Sequence, residues 1–143
     1  MKAGVRSGAG RFTAPRVVRS ADKPTEVSGP FVCGWSAVGD CVVVRVAGTI
    51  DRASAPTLSD ELRRVIITKR PTLVVDLRRV SDIDAAGIEV LAMACDLAIE
   101  NDGWLRVSGA APRLADLMEK SGLCARVQQY ATLAEALPSY RPA

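Results

Sequence analysis

The sequence predicts an α/β domain with the element order β-β-α-β-α-β-α-β-α, and three local observations predict it. Short runs rich in valine alternate with segments whose apolar residues recur at helical spacing. The first two runs are separated by Gly39-Asp40, a dipeptide typical of a hairpin turn. The later runs are separated by helices, the connection that parallel strands need. The expected architecture is a central mixed β-sheet of about four to five strands with amphipathic helices.

The first half of the domain contains the hairpin and one helix. Its strands are Phe31 to Val38 and Cys41 to Gly48, and the nearly continuous valines of the second indicate a strand covered on both faces. Asp51 or Ser54 is placed to cap the start of the helix, and Pro56 suits its first turn. The predicted inner face of that helix consists of Ala55, Leu58, Leu62, Val65 and Ile66.

The middle of the domain is predicted to hold a buried strand and a second helix. The strand is Thr72 to Leu77, and Arg78 to Asp82 is expected to be part of the connection that follows it. The second helix is expected to end near Asn101-Asp102-Gly103. Its predicted inner stripe consists of Ile88, Leu91, Ala92, Cys95 and Ile99.

The last third continues the alternation of strands and helices. Trp104 to Val107 is a predicted strand, Val127 to Tyr130 is a shorter one, and Thr132 opens a capping box for a final helix. Pro112 opens the helix between them, and Gly122 is placed for its left-handed C-terminal cap. The side chains expected to face inward from that helix are Leu114, Leu117 and Met118.

Composition and charge divide the chain into three parts. The 143 residues carry a formal net charge of +3, with 48% apolar and 24% charged residues, which fits one soluble globular domain. Residues 1–28 hold six basic and two acidic side chains, a net of +4, whereas residues 29–143 hold 13 basic and 14 acidic ones, a net of −1. We therefore expect a disordered basic leader at 1–29, a folded domain at 30–138 and a short tail at 139–143.

The same composition excludes several classes of partner. The cationic excess lies in the leader and aromatic residues are 4% of the chain, so we expect no direct binding of nucleic acid. Nowhere does the sequence offer about 18 consecutive apolar residues, and the leader lacks the apolar segment of a secretory signal. The protein is expected in the cytoplasm and away from the membrane.

Histidine is absent, which restricts the chemistry available to the chain. No Ser-His-Asp or Cys-His site, imidazole base or His-containing zinc site can be built from it. The four cysteines, Cys33, Cys41, Cys95 and Cys124, lack metal-binding spacing. Cys41 and Cys95 are expected to be small buried apolar groups, while the environments of Cys33 and Cys124 stay open, as does a thiol-based switch. From these residues we expect neither a metal site nor a bound cofactor.

One segment, Ser81 to Ile88, joins a predicted buried strand to the second helix. Asp84 is suited to be the N-cap of this helix, since its carboxylate can accept the free amides of the first turn. Ala85 and Ala86 then occupy that turn, at the positive end of the helix dipole. Taken alone, these residues indicate only a capped helix.

In order and spacing, four segments of the chain resemble the STAS domains, typified by bacterial anti-sigma factor antagonists. They are VVVRVAGTID (Val42 to Asp51), APTLSDEL (Ala55 to Leu62), LVVDLRRVSDIDAAGIEVL (Leu73 to Leu91) and LMEKSGL (Leu117 to Leu123). The resemblance implies a STAS-type fold for residues 30–138 and a cytoplasmic protein-binding module without catalytic activity. It also implies a partner, an anti-sigma factor that in the family is often kinase-like, and it leaves a homodimer open.

The family's regulatory motif is altered in this chain. A typical member has D-S-[STA]-G at the start of this helix, and its partner phosphorylates the first serine, which releases the complex. Asp84 and Gly87 match this motif and Ala86 is an ordinary variant, but Ala85 replaces the phosphorylated serine. A phosphate adds about −1.5 to −2 charges, and Ala85 cannot carry one. Ser81 and Thr49 are the nearby hydroxyls that could substitute.

The resemblance also implies where a partner binds. The family's recognition surface centres on the start of the second helix and on the loop from Gly48 to Ser54. Along that helix, Glu89, Met93, Asp96 and Glu100 share a face opposite the apolar stripe, and Met93 is the adaptable apolar group among them. The predicted partner-binding residues are Thr49, Asp51, Ser54, Asp84, Ala85, Ala86, Gly87, Glu89 and Met93.

Three functional hypotheses follow. The first is an antagonist that sequesters an anti-sigma factor and so regulates sigma-factor-dependent transcription, including stress responses. The second is a scaffold or sensor-relay STAS module that assembles with other regulators without releasing a sigma factor. The third is an enzyme or nucleotide-binding protein, for which Asp82 and Asp84 are the paired acids, although the sequence has no phosphate-binding loop of the G-x-x-x-x-G-K-[ST] type.

Overall fold

The structure, a computed structural model, describes residues 31–138, except for the side chain of Cys124. The predicted leader and tail, residues 1–29 and 139–143, lie outside the described residues. The strands are β1 (Val32–Val38), β2 (Cys41–Ile50), β3 (Thr72–Ile83), β4 (Trp104–Ser108) and β5 (Gln128–Tyr130). The helices are α1 (Ala55–Thr68), α2 (Ala85–Glu100), α3 (Pro112–Lys120) and α4 (Leu133–Ala136), with a 3-10 turn at Leu123–Ala125. The predicted order of elements is confirmed.

The five strands form one mixed sheet in the order β1-β2-β3-β4-β5. β1 and β2 are the predicted antiparallel hairpin, with Val32 opposite Ala47 and Val38 opposite Cys41. The other three pairs are parallel. Since β2, β3 and β4 run parallel to one another, their carboxyl ends lie at the same edge of the sheet.

β3 is longer than the sequence predicted. Residues 78–82 were expected in the connection, but they continue the strand to Ile83. They do so because β2 also continues to Ile50, so that Ala47 pairs with Arg79 and Thr49 with Asp82 across two irregularities in the register. The charged side chains of this extension are exposed, and this polarity resembles that of a loop when only the sequence is considered.

The core lies on both faces of β2 and β3, as the valine runs predicted. Val42, Val44 and Val46 belong to the main apolar cluster with α1 and α2, whereas Val43 and Val74 belong to a smaller one with α4. All five are at most 2% exposed. The buried environment expected for Cys41 and Cys95 is confirmed, and Cys33 is buried as well.

Two predicted core residues are in fact exposed. Ile99 is 57% exposed and Leu117 is 37% exposed. In α3 only Leu114 and Met118, four positions apart, point at the sheet. In α2 most of the buried side chains are small, which allows close approach to the sheet. The buried residues are Gly87, Val90, Leu91, Ala94, Cys95 and Ala98. Judged by hydrophobicity alone, the larger Ile99 had been predicted to lie on the inner face of α2.

Candidate functional site

Two strand-to-helix connections meet at the carboxyl edge of the sheet. β2 ends at Ile50 and leads into α1, and β3 ends at Ile83 and leads into α2. The backbone N–H of Asp84 donates to the carbonyl oxygen of Ile50 at 3.1 Å, which ties the two connections together. Residues 49–54 and 84–87 are called the helix-start edge below. Most of the predicted site residues belong to this edge.

The start of α2 is fixed by Asp84. Its Oδ1 accepts hydrogen bonds from the backbone N–H of Ala86 at 2.9 Å and of Gly87 at 3.1 Å, so the predicted N-cap is confirmed. The carboxylate also lies at the positive end of the helix dipole, which stabilises the negative charge. Ala85 is exposed and Ala86 is half-buried. The cap thus holds the first turn while leaving Ala85 at the surface.

Gly87 is required by a close contact between α2 and the sheet. A Cβ atom at this position would lie 2.6 Å from Ile50 Cγ2 and 2.7 Å from Ile83 Cγ1. It would also lie 3.0 Å from the carbonyl oxygen of Ile50. Only glycine therefore fits without displacing its neighbours. The glycine of the motif is buried, and its role is to seat the helix.

The connection from β2 to α1 is held by two polar side chains. Asp51 Oδ1 accepts from the backbone N–H of Ala53 at 3.0 Å and of Ser54 at 3.1 Å. The Ser54 hydroxyl donates to the carbonyl oxygen of Thr49 at 2.8 Å and accepts from the Asp51 N–H at 2.9 Å. Ser54 occupies the N-cap position of α1, but its side chain bonds the preceding loop and makes no cap hydrogen bond to the helix.

The two hydroxyls suggested as substitute switches lie side by side. Thr49 Oγ1 and Ser81 Oγ are 3.1 Å apart, and Ser81 is exposed. Next to them, Arg113 at the start of α3 donates to Asp82 Oδ1 at 3.1 Å and to the carbonyl oxygen of Ser81 at 3.0 Å. Arg113 was not predicted as part of the site, since nothing local in sequence links it to residues about thirty positions away.

The paired acids of the enzyme hypothesis have separate roles. Asp82 accepts from Arg113, and Asp84 caps α2. Within residues 31–138, no group of three or more His, Cys, Asp and Glu side chains is arranged to hold a metal ion. The described helices include none long and apolar enough to cross a membrane.

The two described thiols with perturbed titration lie away from the helix-start edge. Burial raises the pKa of both Cys41 and Cys95, which keeps each thiol protonated and weakly nucleophilic. The Cys95 thiol donates to the carbonyl oxygen of Arg126 at 3.4 Å. Their buried, apolar environments are those of packing residues.

The outer face of α2 extends the edge. Glu89, Met93, Asp96 and Glu100 are all exposed, as predicted, and Met93 is 55% exposed. The structure therefore places two kinds of predicted residue together. Those reaching solvent at least partly are Thr49, Asp51, Asp84, Ala85, Ala86, Glu89 and Met93, while Ser54 and Gly87 are buried beneath them.

Comparison with known protein families identifies the fold. The family profile of the STAS domain matches residues 36–136, which include every strand in part or whole and the complete helix-start edge. The chain belongs to the STAS domain family. This confirms the predicted resemblance and the predicted STAS-type α/β architecture. No curated protein sequence matches the chain.

Solved structures of other STAS proteins are similar to this chain. An anti-sigma factor antagonist from Mycobacterium paratuberculosis is 27% identical, with a TM-score of 0.72 over 81% of this chain and 100% of that one. SpoIIAA, an anti-sigma factor antagonist from Bacillus, is 19% identical in its unphosphorylated form, with a TM-score of 0.62 over 73% of this chain and 91% of that one. A sulfate transporter family protein from Wolinella succinogenes is 19% identical, with a TM-score of 0.59 over 68% and 82%.

Proposed function

We propose that this STAS domain is an anti-sigma factor antagonist: it binds an anti-sigma factor and thereby regulates sigma-factor-dependent transcription in the cytoplasm. The observation that carries the proposal is the exposed first turn of α2, capped by Asp84 and seated on Ile50 through Gly87. These two residues match the family motif at the recognition surface. The likeness to the mycobacterial antagonist over that protein's whole length supports the same assignment.

The proposed contact surface consists of side chains that reach solvent on the helix-start edge and the outer face of α2. They are Thr49, Asp51, Asp84, Ala85, Glu89 and Met93. Met93 supplies an adaptable apolar contact, and the carboxylates around it favour a partner with cationic groups. Ser54 and Gly87 are buried beneath this surface and position it, and the half-buried Ala86 lies at its border. The partner recognised here has an apolar patch bordered by basic side chains.

Ala85 makes the proposed antagonist independent of phosphorylation at this position. It is exposed, so a partner can approach the first turn of α2 closely. In a family member with serine here, phosphorylation would add charge and volume to the interface, whose desolvation is costly. With a methyl group in that place, phosphorylation at this position cannot switch off binding, whether or not the anti-sigma factor is a kinase.

A capture experiment tests the proposal. Tagged wild-type protein, Met93→Arg and Glu89→Arg are used as baits in native cytoplasmic extract, with Glu119→Arg on the exposed part of α3 as a matched control. We expect wild type and the control to recover a kinase-like anti-sigma factor, and both α2 variants to lose at least about tenfold of it, which is about 1.4 kcal/mol. Equal recovery by all four baits would refute the proposed surface.

The hydroxyl pair of Thr49 and Ser81 is the alternative site at which phosphorylation could regulate binding. These side chains are 3.1 Å apart at the proposed surface, so a phosphate on either would separate them. We expect incubation with the captured kinase-like partner and ATP to leave both unmodified. Mass-spectrometric detection of phosphate on Thr49 or Ser81 would show instead that the switch has moved to this pair.

The scaffold or sensor-relay function is the second candidate. The fold is shared with a sulfate transporter family protein as well as with antagonists, so the fold by itself is compatible with other regulatory settings. Size-exclusion chromatography with light scattering distinguishes the two. An antagonist is expected to be a monomer or homodimer, whereas stable large assemblies would favour a scaffold.

A further inference from the structure

A groove runs between α1 and α2 along the outside of the domain. Its volume is about 220 Å³. The α2 side is formed by four apolar residues, Val90, Met93, Ala94 and Leu97. Val90 and Ala94 are buried at the base, and Met93 is 55% exposed at the rim. The groove thus offers an apolar floor large enough for one or two aliphatic side chains.

The rim on α2 is acidic. Asp96 and Glu100 line the groove, and α2 contains three acidic and no basic residues over its 16 positions. Glu100 also lies at the negative end of the helix dipole, where a carboxylate is unfavourable and a cation is favourable. Among residues 31–138, Glu89 and Glu100 have no ion-pair partner; Asp96 pairs with Arg126. The opposite rim carries Arg63 and Asp96 is already paired, so the attraction for a cation is confined to the α2 side and centres on Glu100.

The leader carries a segment that complements this groove. Arg16-Val17-Val18-Arg19 presents two aliphatic side chains flanked by two guanidinium groups. Residues 1–28 as a whole have a net charge of +4, from six basic and two acidic side chains. The two valines of the leader therefore match the apolar floor of the groove, and the two arginines match its acidic rim.

The point where the leader joins the domain also fits. Val32 at the start of β1 pairs with Ala47, close to where β2 leads into the helix-start edge. The segment between Arg19 and Phe31 is about twelve residues, which spans about 20 Å as a flexible coil and at most about 40 Å when extended. α2 has 16 residues and is therefore about 24 Å long. The groove is within reach, at an effective concentration on the order of millimolar.

We propose that the leader of this chain docks in the α1–α2 groove, with Val17 and Val18 on the apolar floor and Arg16 and Arg19 at the acidic rim. The occupant is the same molecule's own segment. Because Met93 lines both the groove and the proposed partner surface, docking also covers part of that surface. This consequence rests on the proposed function, whereas the docking itself does not.

The experiment compares backbone amide NMR shifts of the full-length wild type with three full-length variants. Val17→Ser/Val18→Ser and Arg16→Gln/Arg19→Gln remove the two halves of the complementarity. Lys2→Gln/Arg6→Gln is the control, since it removes the same charge outside the segment. We expect shifts around Met93, Leu97 and Glu100 in the first two variants and less than a third of that effect in the control.

A second measurement establishes which molecule supplies the leader. Carbodiimide coupling joins lysine amines to nearby carboxylates, and Lys23 lies four residues beyond Arg19. In the monomer fraction we expect links from Lys23 to Glu100 or Asp96 that decrease at about 0.5 M salt, where charges are strongly screened. Absence of the amide shifts, equal shifts in the control variant, or links found only in dimers would each overturn the proposal. The capture of the anti-sigma factor can still succeed after any of these outcomes, because that experiment tests the α2 side chains directly.

Discussion

The starts of α1 and α2 lie next to each other and both use an aspartate, but the two aspartates hold different parts of the chain. Asp51 bonds the amides of Ala53 and Ser54, which precede α1, and the loop is closed on itself with a buried serine. Asp84 bonds amides inside the first turn of α2. The α1 start is therefore an internally bonded loop, while the α2 start is a capped helix end with an exposed first residue.

This difference gives the α1 start a structural role and the α2 start the proposed role in contact with a partner. At the α1 start the polar groups are directed inward, toward Thr49 and Asp51 backbone atoms. At the α2 start, Gly87 lacks a Cβ and so allows the helix to pack closely against the sheet, while Ala85 faces solvent. The α1 start therefore stabilises the helix-start edge, and the α2 start leaves side chains of that edge accessible at the surface. Substitutions should accordingly affect folding stability and partner binding in different proportions in the two regions.

The largest loss of stability is expected for Gly87→Ala. The added Cβ would overlap Ile50 and Ile83, which costs about 3 kcal/mol, offset by about 1 kcal/mol of improved helix propensity. We expect the free energy of unfolding, measured by urea denaturation, to fall by about 2 kcal/mol. Ala85→Gly, which changes an exposed residue in the same turn, is the control and should cost no more than about 1 kcal/mol. A harmless Gly87→Ala would mean that α2 is not seated as closely as described.

A somewhat smaller effect is expected for Ser54→Ala. The variant leaves the Thr49 carbonyl and the Asp51 amide without their buried partner, which costs about 1.5 kcal/mol. Ser81→Ala, which removes an exposed hydroxyl from the same edge, should cost less than about 0.5 kcal/mol. If the two serine variants had equal unfolding free energies, the inward bonding of the α1 start would have no energetic role.

The N-cap of α2 should come next. Asp84→Ala removes both hydrogen bonds to the first turn, and we expect a loss of about 1 kcal/mol in thermal or chemical unfolding. Asp84→Asn keeps a side-chain oxygen that can accept the same bonds, so most of the stability should return. An equal loss in both variants would assign the effect to charge at the helix dipole and not to the cap.

Ala85→Glu is expected to change folding stability least, and its effects on stability and on partner binding should differ most. The side chain is exposed and an acidic residue is favourable in a first helical turn, so stability should change by less than about 0.5 kcal/mol. Binding of the captured anti-sigma factor, measured by calorimetry, should nevertheless weaken at least about tenfold, because the longer side chain obstructs close approach to the first turn and its charge must be desolvated. Unchanged affinity would remove Ala85 from the proposed contact surface.

The structural features that depend on neighbouring residues could be predicted from the sequence. The hairpin at Gly39-Asp40, the Asp84 cap and the left-handed Gly122 (φ 89°) follow local rules, and all three are present. What depends on distant residues was not predicted. The extension of β3 needs β2 as its partner, and the contact of Gly87 needs Ile50. Arg113 reaches Asp82 from another helix, which no local pattern could indicate.

The order of strands in the sheet is the same as their order in the chain, from β1 to β5. Each strand therefore pairs with the one synthesised immediately before it, and no strand waits for a later one to be inserted between existing neighbours. During translation the hairpin can form first, after which every crossover adds one strand to an edge that already exists. Such stepwise growth limits the exposure of unpaired strands, which is when nascent chains are most prone to aggregate. The order of synthesis is thereby also a feasible order of assembly.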